Sequence, residues 1–146
     1  MELRSHLCAP LGEATRREIA HTLEGHKADN AYWISAMRNS GRKPPCCTKA
    51  MGIDYRPPVG DEMLTDVQEF YSAPYLLERK RGACGDICAY DAAALEVLKG
   101  ITTKILVTPQ GETSYHVVML TPVGPMDPCR NWDSKQCLCH LVPDRT

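Results

Sequence analysis

The stretch from Arg81 to Leu98, RGACGDICAYDAAALEVL, decides how the rest of the chain is read. Gly82 and Gly85 flank Cys84, while Ile87, Ala94, Leu95 and Leu98 share one face at helical spacing. This pattern predicts a turn that opens at Cys84 into a buried helix, closed by Gly100. A thiol at a helix start meets unpaired amide N–H groups and the positive end of the helix dipole. Both favour the thiolate, the nucleophilic form of cysteine. Cys84 is therefore the candidate nucleophile, set against the plainer reading of a small buried residue at a helix start.

Downstream, Ile101 to Thr108 is rich in β-branched residues and reads as a strand. Pro109 to Glu112 supplies a turn, and Ser114 to Thr121 reads as a second strand, so the pair predicts a hairpin packed against the Cys84 helix. Tyr115, Val117 and Met119 share one face of that strand; His116, Val118 and Leu120 share the other. After Pro122, Gly124 and Pro125 reverse the chain, Met126 and Asp127 are expected beside the His116 strand. A carboxylate there suits the second imidazole N–H of His116, fixing its tautomer. Taken singly, His116 reads as a core histidine and Asp127 as a turn residue before Pro128; the order of the three favours a Cys-His-Asp site.

Upstream, Glu13 to about Arg38 is helical in pattern. Thr15 and Glu18 fit a capping box, Ile19, Leu23, Trp33, Ile34 and Met37 offer a core face, and Gly25 is a point where the helix could split. His21 and His26 in this segment receive no chemical role. Asn39 to Gly41 stop the helix, and Pro44 and Pro45 make a loop. Ile53 and Tyr55 suggest a short extended piece, and Thr65 reads as the N-cap of a helix carrying Val67, Phe70 and Tyr71. Pro74 interrupts before the basic run Arg79, Lys80, Arg81.

With 146 residues and a formal net charge of −1, the chain fits one domain and lacks the basic surface that phosphate tracking needs. Residues 1–146 are read as a single unit with its core over about 13–128 and an irregular Cys-rich tail over 129–146. No stretch has the length and apolarity of a membrane span, and residues 1–20 lack the apolar block of a secretion signal. Eight cysteines stand at 8, 46, 47, 84, 88, 129, 137 and 139. Scattered thiols or disulfides is one reading. A zinc site from Cys129, Cys137, Cys139 and His140 is the other, although C-x-C-H lacks the usual two-residue gap. Thiol acyl transfer itself calls for no cofactor.

The ordered set resembles the transglutaminase-like branch of the papain-like cysteine enzymes. The matching motifs are Gly82 with Cys84, AAALEVLKGI, HVVM from His116, and Asp127 with Pro128. Within that branch it is similar to small proteins encoded among tailed-phage structural genes, through Tyr32 with Trp33, Pro44 with Pro45, Tyr55 with Arg56, and Gly82 with Cys84 and Asp86. It departs from that pattern at Ala83 and Gly85, where acidic residues are common, and at Cys129, where a serine is usual.

The resemblance implies an α+β, papain-like or transglutaminase-like fold: N-terminal helices and a nucleophile-bearing helix packed on a small antiparallel sheet. It implies a Cys84, His116, Asp127 triad for amide or peptide-bond hydrolysis or acyl transfer. The oxyanion donors would be the Cys84 N–H and the Gln68 side chain. The alternative is a virion component of the tail or neck, possessing the same scaffold without chemistry and linked by disulfides. Expected partners are virion proteins or a peptide substrate, in repeated copies within a particle, with neither nucleic acid nor membrane. The expected location is the virion, or the host cytoplasm during assembly.

Overall fold

The structure, a computed structural model, describes residues 4–8, 13–55, 67–109 and 115–129. Their order is β1 (Arg4–Cys8), α1 (Glu13–Asn39), β2 (Asp54–Tyr55), β3 (Val67–Tyr71), α2 (Ala73–Arg79), β4 (Arg81–Gly82), α3 (Cys84–Lys99), β5 (Lys104–Pro109), β6 (Tyr115–Thr121) and β7 (Gly124–Met126). The class is mixed α+β. β5, β6 and β7 form an antiparallel sheet in that order, β1 pairs antiparallel with β3, and β2 pairs parallel with β4.

Helix α3 is the centre. Every residue from Cys84 to Leu95 is buried, so the element is not amphipathic but enclosed on all sides. Its small residues make this possible: Ala89, Ala92, Ala93 and Ala94 let neighbours approach the backbone closely. One side joins Ile19 and Leu23 of α1, Phe70 of β3, Ile105 of β5, and Val117 and Met119 of β6. The other side joins Ile34, Met51, Ile53, Ala73 and Leu76 through Tyr90, Ala93 and Ala94. Gly100 ends α3 at φ 66°, the left-handed conformation that glycine adopts without a Cβ penalty.

Buried polar ties fix the elements around this core. Glu24 accepts the Ile105 N–H at 2.7 Å, and Lys27 donates to Glu96 at 3.0 Å and to the Thr103 carbonyl at 2.9 Å, holding α1 to α3 and to the entry of β5. Asn30 accepts the Ala73 N–H at 2.7 Å, setting the start of α2. The Pro44–Pro45 loop is tied to α3 twice: Tyr90 donates to the Pro45 carbonyl at 2.9 Å, and Asp91 accepts the Thr48 N–H at 2.7 Å.

Four expectations are corrected. Val67, Phe70 and Tyr71 belong to strand β3, not to a helix capped by Thr65; pairing with β1 supplies the backbone partners that a helix would have supplied internally. The helix comes just afterwards, with Pro74 in its first turn, where the missing N–H costs nothing. Gly25 does not split α1, which is continuous, and Thr15 falls inside its first turn rather than before it. The hairpin is present, with Val107 opposite Val117 and Thr108 opposite His116, but β5 starts at Lys104 rather than Ile101. Thr65, the 110–112 turn and the 130–146 tail lie outside the described residues.

Candidate active site

Cys84 is the first residue of α3, preceded by the extended N-cap residue Ala83. Alanine has no side-chain acceptor, and Asp86 does the capping instead. One of its carboxylate oxygens accepts the Ala83 N–H at 3.1 Å and the other accepts the Tyr71 N–H at 2.8 Å. The same carboxylate therefore caps α3 and fastens it to β3. The small residues around Cys84 follow from packing. A Cβ on Gly85 would lie 3.2 Å from both Leu23 and Phe70, and one on Gly82 would lie 3.0 Å from Leu76 and 3.2 Å from Asp86. Any side chain at 85 would require Leu23 or Phe70 to shift.

The thiol is 4% exposed. Burial pushes it up to about 11, with the Asp86 and Asp127 carboxylates adding to the rise. Hydrogen bonds with the backbone of Val117 and Gly85 pull the other way without cancelling it. At this helix start desolvation outweighs the favour that the dipole gives the thiolate, and the sulfur rests as a thiol at neutral pH.

Cys84 is buried in the same apolar cluster as Val117, the residue that follows His116 on β6. The His116 Nε2 and an Asp127 carboxylate oxygen are 2.7 Å apart, with side chains 22% and 16% exposed. The other Asp127 oxygen accepts the Cys129 N–H at 3.0 Å, which fixes the carboxylate. β7 pairs with β6 only from Met119 to Thr121, so His116, paired with Thr108 of β5 on its other side, is not paired with β7 and meets the chain at Asp127 through its side chain. With Nε2–H given to Asp127, the Nδ1 lone pair is the free end of the ring.

Two further neighbours belong here: Tyr55, which the sequence does not mark as a site residue, and Cys129, which it places only in the zinc alternative. Tyr55 and Cys129 are half-buried and packed against the cluster that contains Cys84 and Cys88. Cys84 and the Asp127 carboxylate lie within electrostatic reach of both. Burial, with those charges, raises the Cys129 thiol far above its ordinary range. The available signals were the extended piece at Tyr55 and the closeness of Cys129 to the Asp-Pro step. Cys88, one turn after Cys84, is fully buried, and its thiol is likewise held protonated. Cys46, Cys84, Cys88 and Cys129 are reduced cysteines, outside any disulfide.

Gln68 has its backbone on β3, opposite Leu7, but its side chain lies outside the described residues, as do Cys137, Cys139 and His140. Among the described residues no group of three or more His, Cys, Asp or Glu is arranged to hold a metal ion. His26 is a core histidine, edge-on to Phe70 at 6.3 Å and kept neutral by burial. Among the described residues no helix is long and apolar enough to cross a membrane. Compared with known proteins, the chain matches no family model, no curated protein and no solved structure.

Proposed function

We propose that this chain is a transglutaminase-like cysteine protein with a papain-like core that hydrolyses or transfers an amide through an acyl group on Cys84. The observation that carries this reading is the 2.7 Å His116–Asp127 bond on the strand whose next residue, Val117, is buried in the same apolar cluster as Cys84. In this reading His116 Nδ1 takes the thiol proton as sulfur attacks the carbonyl carbon, and Asp127 stabilises the imidazolium that forms. The C–N bond then breaks, and the proton passes from the imidazolium to the leaving amine. Water or a second amine, deprotonated by the same ring, releases the acyl group and regenerates the thiol. Because the sulfur rests protonated, transfer to His116 accompanies attack rather than preceding it. The resemblance to phage structural proteins points to virion proteins or cell-wall peptide crosslinks as the amide source.

The test is labelling by a thiol-directed acylating probe under native conditions. Cys84→Ala abolishes the labelling at this site while retaining the fold; undiminished labelling of the variant removes Cys84 from the mechanism. A second reading has one observation of its own: a 4% exposed thiol is hard to reach. It makes the chain a virion assembly component that keeps the scaffold without the chemistry. Under that reading Cys84 stays unmodified by iodoacetamide until denaturant is added.

A further inference from the structure

We infer that the Tyr55 hydroxyl donates a hydrogen bond to the oxyanion formed when Cys84 attacks a carbonyl, making Tyr55 a further catalytic residue of the site. The inference rests on the acyl-transfer reading of Cys84. Its geometric basis is the two-residue parallel pair between β2 and β4, in which Tyr55 stands opposite Gly82. Gly82 is two residues before Cys84, so this pair delivers the tyrosine to the start of α3, where the Cys84 N–H belongs to the first turn and has no carbonyl of its own helix to serve. The Tyr55 ring packs against the cluster containing Cys84, with Cys129 against the same cluster. An oxyanion held between the Cys84 amide and a phenol on the paired strand would meet two donors from different elements, both fixed before reaction.

The hydroxyl is suited to donation. It makes no hydrogen bond among the described residues, whereas Tyr90, on α3 itself, gives its hydroxyl proton to the Pro45 carbonyl at 2.9 Å and is structural. Burial, with the Asp127 carboxylate nearby, pushes the Tyr55 phenol up to about 12, so it keeps its proton throughout the neutral range. A negative oxygen developing beside these groups increases the demand for a donor. No other side-chain donor to this position is evident among the described residues, and the Gln68 side chain lies outside them.

The experiment compares two reactions of the same sulfur. Acylation of Cys84 by p-nitrophenyl acetate passes through a tetrahedral oxyanion; alkylation by iodoacetamide is a direct displacement at carbon and forms none. Tyr55→Phe, which keeps the ring and its packing, lowers the acylation rate roughly 10- to 10³-fold and leaves alkylation within about twofold. Unchanged acylation, or equal losses in both reactions, overturns the role of Tyr55 while leaving the Cys84 reading in place. Acylation that persists undiminished in Cys84→Ala overturns the reading itself, and the inference with it. The native alkylation rate also reports the fold, since a disturbed variant would expose the buried thiol and speed its modification.

Discussion

At Cys84 two effects on one sulfur compete, and their sizes decide the chemistry. The helix start favours a charge, but near-complete burial beside two carboxylates disfavours it more, and the thiol is held up at about 11. Only the thiolate alkylates, so the rate of Cys84 modification by iodoacetamide is expected to climb about tenfold per pH unit between roughly pH 7 and 10. Mass mapping of the Cys84 peptide over that range measures it. A rate already level by pH 7 would mean a preformed thiolate–imidazolium pair instead. The sequence makes the position of this cysteine legible, because glycines and helical periodicity are local signals. Its protonation is not legible from the same stretch, because the groups that dehydrate it, Phe70, Val117 and Met119 among them, come from distant elements.

Helix α3 depends on Asp86 at both of its relationships, as a cap to Ala83 and as an anchor to β3 through Tyr71. Asp86→Ala strands two amide donors near the core and is expected to cost about 1–3 kcal/mol of stability. Denaturant unfolding measures the loss; a change within about 0.5 kcal/mol, the scale of an ordinary surface substitution, would show that the carboxylate does not hold the junction. At this scale the sequence reveals α1, α3, the β5–β6 hairpin and the turn into β7, each marked by its own periodicity or breaker. It does not reveal β3 as a strand. Val67, Phe70 and Tyr71 carry a spacing compatible with a helix face, and the partner that makes them extended is β1, some sixty residues earlier in sequence. Two-residue pairs such as β2 with β4 are too short to leave a periodic trace, so the neighbour that sets Tyr55 beside Gly82 was invisible.

Across the whole molecule, α3 separates two apolar clusters, and polar contacts fasten the outer layers to it. The tie most exposed to pH is Asp91, fully buried on α3 and bound to the Thr48 N–H and hydroxyl. Burial pushes its carboxyl up to about 7, well above the ordinary aspartate value that it regains on unfolding. The folded protein therefore keeps a proton that the unfolded chain has released between roughly pH 4 and 7. The contribution of this group to stability is full below that window and is lost as pH rises through about 7. Unfolding free energy measured from pH 5 to 8 should fall with pH for the parent, at no more than about 1.4 kcal/mol per pH unit from one group. The fall should be weaker in Asp91→Asn, which retains an acceptor for Thr48. Parallel curves for the two proteins would assign the slope elsewhere.

The central claim is that Cys84 accepts an acyl group with His116 as its base. The most direct measurement is the rate at which p-nitrophenyl acetate acylates Cys84 at neutral pH, with the adduct located by peptide mapping, in the parent and in His116→Ala. The account predicts one adduct on Cys84 in the parent and a rate reduced on the order of 10²–10⁴-fold in the variant. Acylation of Cys84 at the same rate in both proteins, or an adduct found only on other residues, would contradict it.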